Sequence, residues 1–156
     1  MTEDGRPSWD QTWMDVADTV AKRSRCERDQ VGAVIVTGDE RIHSTGYNGP
    51  PSGYPTAKTS GCLSWCPKAM SGSRTPDYSE CPALHAEANA VARADWSAIH
   101  GGTIYISSSA CVGCARLIAN TGIKKVVMRV LSDHAHRDPE GVTALMRSCG
   151  LTVAWV

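Results

Sequence analysis

Two helix openings separated by one strand constrain this chain more than any other feature. The stretch LHAEANAV (84–91) puts His85 and Glu87 at the start of a helix otherwise built mainly from small apolar residues. The run GGTIYISS (101–108) reads as a strand, and SACVGCARLIAN (109–120) opens a second helix with Cys111 and Cys114. Helix, strand and helix in that order fit an α/β sheet, in which the start of one helix can lie beside the strand that leads into the next.

The rest of the chain agrees with that plan. Ser8 fits an N-cap, and Trp13, Val16, Ala17 and Val20 recur at the spacing of one buried helix face. VGAVIVTG (31–38) and RIHSTGYNG (41–49) read as a hairpin, which makes the sheet mixed rather than all parallel. Helices are expected over 84–95, over 111–121 up to Gly122, and from Pro139 to Cys149, stopped by Gly150. Strands are expected at KKVVMRV (124–130) and LTVAWV (151–156). Between Asn48 and Pro82 the chain is crowded with Gly, Pro, Ser and Cys, over a length that ordinary connections do not reach. There is no internal repeat, and 156 residues suit one domain over 1–156.

Composition narrows the function. Sixteen basic residues balance 16 acidic ones, so no general basic footprint for a polynucleotide or a membrane surface exists. Aromatics at 6% leave little surface for stacking bases. MTEDGRPSWD has no apolar core of the signal-peptide kind, and no run approaches the roughly 18 apolar residues of a membrane span. The expectation is a cytoplasmic protein without a membrane or polynucleotide partner. Seven cysteines, an odd number, then read as metal ligands or small buried hydrophobes rather than as a disulfide framework.

His85, Cys111 and Cys114 supply three corners of a tetrahedral zinc site, and an open fourth corner is what a catalytic zinc keeps for water. C-x-x-C at a helix start lets both sulfurs face one metal, and the helix dipole favours their thiolates. Glu87, two residues from His85, need not be a ligand and can carry protons. A satisfied core histidine and a redox-active C-x-x-C of the thioredoxin kind are the bland alternatives. The redox pattern has no use for His-x-Glu, and a purely structural zinc module has none for Glu87. The joint pattern favours a catalytic metal.

H-x-E followed by C-x-x-C is the signature of zinc nucleoside and nucleotide deaminases. AKRSRCERDQVGAVIV (21–36), STGYNGPPSG (44–53), LHAEANAV and GCARLIANTGIKKVV (113–127) each resemble segments of deoxycytidylate (dCMP) deaminases, and the likeness runs from about Ser8 to the C-terminus. The resemblance implies a cytidine deaminase-like fold, a three-layer αβα sandwich on a mixed five-stranded sheet. It implies hydrolysis of dCMP to dUMP and ammonia, supplying thymidylate synthesis. His85, Cys111 and Cys114 match the zinc ligands. Glu87 matches the residue that protonates N3 of cytosine and then the departing ammonia while water attacks C4.

Further positions follow from the same resemblance. Asn48 matches a residue near the substrate sugar, and Ser24 and Arg28 match phosphate contacts. A homo-hexamer is implied, with dCTP and dTTP as effectors at a subunit-interface site that uses GYNG (46–49). Some relatives hold a second, structural zinc. Cys26, Cys62 and Cys81 match that pattern, with Cys66 in place of a loop cysteine that GYPTAK (53–58) lacks. Cys149 reads as a core residue. Three departures stand out. Ala110 occupies a place where the family usually has proline. SSSA (107–110), expected to face the substrate, is smaller and more polar than usual. LSDHAHRDPEG (131–141) lacks a tyrosine found near the 5′-phosphate, and His136, with His134, is the candidate substitute. A deaminase of the same build acting on another cytosine- or purine-like small molecule remains the alternative.

Overall fold

The first helix forms where its apolar spacing and its cap place it. The Ser8 hydroxyl oxygen accepts the Gln11 N–H at 3.2 Å and starts α1 (Trp9–Ala21). The computed structural model describes residues 2, 5–56, 61–73, 77–129 and 138–156. Met14 and Ala17 of α1 are fully buried against Val34, Val36, Tyr105 and Val127.

Five strands form one sheet in the order β2-β1-β3-β4-β5. The hairpin β1 (Gly32–Val36) and β2 (Ile42–Tyr47) is antiparallel, and β1 is also antiparallel to β3 (Thr103–Ile106). From there β3, β4 (Lys125–Met128) and β5 (Thr152–Trp155) run parallel. Parallel neighbours need crossovers. Two short helices provide them, α5 (Val112–Ala119) and α6 (Pro139–Ser148). The mixed sheet expected from the opening hairpin is therefore present.

Side-chain alternation divides the core between the two faces. Val34, Val36, Tyr105 and Val127 face α1. Ala33, Ile35, Ile104, Ile106, Val126 and Met128 face the opposite layer, with residues of α5, α6 and α3 (Ala86–Ala92). Two glycines bring the helices close. A Cβ on Gly32 would meet the Ala17 carbonyl of α1, and one on Gly46 would meet the Ala86 carbonyl of α3. The second contact seats the start of α3 directly on β2, which matters for the site below.

Some elements differ from the sequence reading. The helix expected over 84–95 is shorter: α3 ends at Ala92, and beyond the expected range Asp95 caps a separate turn, α4 (Trp96–Ile99), by accepting the Ser97 N–H at 2.9 Å. A local cap overrides the continuous apolar pattern there. The long loop carries a 3-10 turn at Cys62–Ser64 and a one-turn helix, α2 (Pro67–Met70), started by its proline. Among the described residues no helix is long and apolar enough to cross a membrane.

Candidate active site

His85 is the N-cap of α3, and Cys111 is the N-cap of α5. Antiparallel bonding between Gly49 and Leu84, at 2.8 and 3.1 Å, fixes the residue before His85. Asn89 of α3 donates to the Tyr47 carbonyl at 2.9 Å and pins the helix on the other side. At α5 the Cys114 N–H donates to Cys111 Sγ at 3.4 Å, so the thiol itself caps the helix. These local devices turn an imidazole and two sulfurs toward one point.

The spacing there fits a metal. His85 Nδ1 lies 3.5 Å from Cys111 Sγ and 3.5 Å from Cys114 Sγ. Zinc with N at about 2.1 Å and S at about 2.3 Å on a tetrahedron holds those atoms about 3.6 Å apart. Among the described residues this is the one group of three or more possible ligands whose donor atoms all lie within 4.8 Å of one another. The Cys111 thiol is pushed down to about 3 by the hydrogen bond from the Cys114 thiol, against burial and with help from His85. Cys114 is pushed well above the usual thiol range by that same sharing, by burial and by the negative charge of Glu87. The two thiols are thus coupled through a shared hydrogen bond, and a bound dication would favour the thiolate form of both.

Glu87 is 3% exposed and lies beside Cys114. A buried carboxylate next to three ligands, and outside their set, is the arrangement of a proton carrier at an open metal position. His85, Glu87 and Cys111 line a cavity of about 650 Å³. Small-molecule sites span roughly 300–1,000 Å³. The cavity wall also carries Arg28, Asn48, Lys68 and Tyr78.

Residues 7–130 match the family model of the cytidine and deoxycytidylate deaminase zinc-binding region. The chain belongs to that family. It is 44% identical over 128 residues to a deoxycytidylate deaminase of Mycobacterium phage D29, covering 78% of this chain and 94% of that one. It is 40% identical over 123 residues to the deoxycytidylate deaminase of Schizosaccharomyces pombe, 78% of this chain but 37% of the yeast protein. The structure resembles the dCMP deaminase of cyanophage S-TIM5 in complex with dCMP and dUMP, at 27% identity and a TM-score of 0.71, over 97% and 98% of the two chains. The fold is therefore the cytidine deaminase-like one, and the three-ligand centre is the zinc-binding region of this deaminase family.

Within that family frame the remaining positions expected from the sequence fall into three groups. Arg28 and Asn48 line the cavity, but the Asn48 amide is already engaged. Its Oδ1 accepts the Val31 N–H at 2.8 Å and its Nδ2 donates to the Asp29 carbonyl at 2.8 Å. Ser24 is 4% exposed and is not in the cavity wall. Its hydroxyl donates to the Asn48 carbonyl at 2.8 Å and accepts the Cys26 N–H at 3.1 Å. His136, like His134, lies outside the described residues.

Two expectations are corrected, one at the approach to α5 and one at the end of α6. Ser107, Ser108, Ser109 and Ala110 are buried and do not line the cavity; Ser107 Oγ accepts the Gly32 N–H at 2.9 Å and so closes the sheet. Ser107 thus supplies a side-chain acceptor at the end of the β1–β3 pairing inside the sheet. The Ala110 N–H donates to Met128 Sδ at 3.4 Å, a contact that proline could not make. Cys149, expected in the core, is exposed at the end of α6.

The four remaining thiols gather in the long loop. Cys62, Cys66 and Ala69 form a small core against which Cys26, Trp65 and Cys81 pack. Cys66 Sγ and Cys81 Sγ are 3.7 Å apart, and Cys62 Sγ accepts the Glu27 N–H at 3.3 Å. Burial above all pushes the Cys62 thiol up, and pushes Cys81 up to about 11. Lys68 and Tyr78, both in the cavity wall, were missed in the sequence. Their only signal is position: Lys68 is two residues from Cys66 and Tyr78 three from Cys81.

Proposed function

We propose that the chain hydrolyses dCMP to dUMP and ammonia, in the supply of dUMP for thymidylate synthesis. The observation that carries this reading is the buried Glu87 beside three ligand atoms at tetrahedral spacing, in a cavity whose wall also bears cations. His85, Cys111 and Cys114 would hold a zinc ion, which would supply the Lewis acidity that makes water a nucleophile at neutral pH. Glu87 accepts a proton from the water that adds to C4 and delivers it to N3, then takes the second proton from the new C4 hydroxyl and gives it to the amine, which leaves as ammonia. The C4–N bond breaks as the new C4–O bond becomes the carbonyl of uracil.

Arg28 is the phosphate contact of this proposal, since a guanidinium in the cavity wall suits a dianion. Ser24 and Asn48 act through position. The Ser24 hydroxyl and the Asn48 amide tie residues 24–31 to the GYNG loop, and so hold Arg28 at the mouth. His136 is kept as a second phosphate donor. A structural zinc at Cys26, Cys62, Cys66 and Cys81 belongs to the same reading, because two sulfurs at about 2.3 Å from one zinc lie about 3.8 Å apart. The Cys66–Cys81 pair, at 3.7 Å, has that spacing. A cytoplasmic homo-hexamer controlled by dCTP and dTTP completes it.

Ammonia release measured over cytosine, cytidine, deoxycytidine, CMP, dCMP and dCTP tests the assignment. The specificity constant is expected to be largest for dCMP. Equal constants for deoxycytidine and dCMP would overturn the nucleotide reading in favour of another small cytosine- or purine-like substrate.

A further inference from the structure

The segment that leads from β3 to the metal ligands is tied to two other strands. Ser107 donates its N–H to the Gly32 carbonyl at 3.0 Å and accepts the Gly32 N–H on Oγ at 2.9 Å, so the start of the segment hangs on β1. Its end hangs on β4. The Ala110 N–H donates to Met128 Sδ at 3.4 Å, and Ala110 is the residue just before Cys111. Ala110 and Met128 are both fully buried, in the core cluster that also holds Cys114.

A thioether is an uncommon partner for a backbone N–H, because its sulfur is a weak acceptor. A buried N–H still needs a partner, since an unpaired one loses its bonds to water and gains nothing in exchange. Among the described residues the Met128 sulfur is the acceptor this N–H has. A proline at 110 would bring no N–H and a fixed φ. Alanine brings a donor and a freer backbone. The sulfur answers both, because it pairs the donor and limits how residue 110 can turn.

Met128 is well placed to act as a clamp. It ends β4, in register with Ile106 of β3, and its carbonyl accepts the Val156 N–H at 3.0 Å. With the backbone held on both sides, the long thioether side chain alone adapts to its partner. On the far side of Ala110 the start of α5 is bonded within itself. The Cys111 carbonyl accepts the Ala115 N–H at 2.9 Å, and Cys111 Sγ accepts the Cys114 N–H at 3.4 Å. The joint between sheet and helix is therefore the stretch 108–110, and Met128 grips its last residue.

We infer that Met128 is a positioning residue for the metal centre: its sulfur holds the Ala110 N–H and thereby sets where Cys111 enters the ligand set. The inference rests on the zinc centre of the reading above and not on the choice of nucleotide. Without the sulfur, the Ala110 N–H turns toward another acceptor and Cys111 moves with it. Metal binding then has to pull the ligand back, so the loss is felt in metal affinity and not in stability alone.

The test compares Met128→Leu with Met146→Leu. Leucine keeps the volume and removes the acceptor. Met146 is equally buried in the same core cluster and takes no part in the bond, so its variant measures the general cost of the exchange. Cadmium NMR reads the site directly, because a centre with two sulfurs and one with four give separate resonances. In Met128→Leu the two-sulfur resonance is expected to move, and chelator competition should show metal affinity about tenfold lower, at the low end for partners that orient a ligand. In Met146→Leu both should stay as in the wild type. Equal affinities in the two variants, with similar drops in thermal midpoint, would overturn the role of Met128 and leave it a packing residue. If Met128→Leu fails to fold, selenomethionine labelling of the wild-type chain decides. A scalar coupling between the Ala110 amide proton and the selenium of Met128 is expected, and its absence would overturn the proposal. A wild-type protein with no two-sulfur resonance would overturn the zinc centre itself. A resonance that Met128→Leu leaves unmoved would remove only Met128.

Discussion

The two sulfur clusters of this molecule use the same element under opposite conditions. His85, Cys111 and Cys114 sit at the starts of two helices that pack on one sheet face, and their donor atoms are already 3.5 Å apart or held by a helix cap. Cys26, Cys62, Cys66 and Cys81 sit in and around a loop with only one-turn elements of its own, and they are gathered less tightly. In the first cluster regular structure positions the ligands. In the second, on the proposal that the four thiols hold a zinc ion, the ligands would have to position the structure. Chemistry that needs an open metal corner belongs at the first, where the backbone holds three ligands without help from a fourth. Order in a Gly- and Pro-rich loop is what the proposed thiolate site would supply at the second.

That contrast predicts that damage at the first cluster costs rate and damage at the second costs stability. The largest effect is expected at Glu87, which holds no place in either ligand set. Glu87→Gln preserves the shape of a side chain that is 3% exposed. Activity should fall about 10²- to 10⁴-fold, the range for a general acid–base group. Zinc content and thermal midpoint should stay near wild type. Turnover close to wild type in that variant would remove Glu87 from the proton path.

Cys62→Ser and Cys81→Ser probe the other side of the comparison. Each should lower zinc from two per chain to one by elemental analysis. The thermal midpoint should fall by about 5–10 °C, as a loss on the order of 2–3 kcal/mol gives in a chain of this size. The remaining zinc should stay at His85, Cys111 and Cys114. One zinc per chain in the wild type, unchanged in both variants, would mean that the loop thiols are a small hydrophobic core and nothing more.

The same contrast explains what was legible in the sequence. His85, Glu87, Cys111 and Cys114 could be read because each lies within three residues of a helix start, where spacing along the chain is also spacing in space. The sheet could be read from β-branched runs and the hairpin from its short turn. Ser24 and the 107–110 segment were harder, because nothing in their sequence reveals that their polar groups meet backbone across the fold. Lys68 and Tyr78 were not legible. Their placement depends on contacts among sulfurs as far apart in sequence as Cys26 and Cys81, and no local period records such contacts. The early end of α3 at Ala92 and the turn α4 after it were not legible, because the Asp95 cap starts a new element just past the expected helix end.

The smallest predicted effect lies in the regular framework, on the sheet face away from both clusters. Asp10 of α1 accepts the Tyr105 hydroxyl at 2.8 Å and the Lys125 ammonium at 2.7 and 2.8 Å. Burial pushes its carboxyl up, but the bonds from Lys125 and Tyr105 outweigh burial and hold it below the usual range. A depressed folded-state pKa means that this carboxylate stabilises the fold at pH values above its unfolded pKa, about 3.9. The contribution is lost as pH falls through the folded value. The pair is about one-third exposed, so solvent screening limits it to about 1 kcal/mol. Asp10→Asn should therefore lower the thermal midpoint at pH 7 by about 2–4 °C, with zinc content and specificity constants unchanged. The gap to wild type should narrow as pH falls below the unfolded pKa and close below the depressed folded value, where both side chains are neutral. A gap that persists unchanged into acid would show that Asp10 acts through packing. A change in zinc content would show that this face is coupled to the ligands after all, and that the separation of framework from site is less complete than the two clusters suggest.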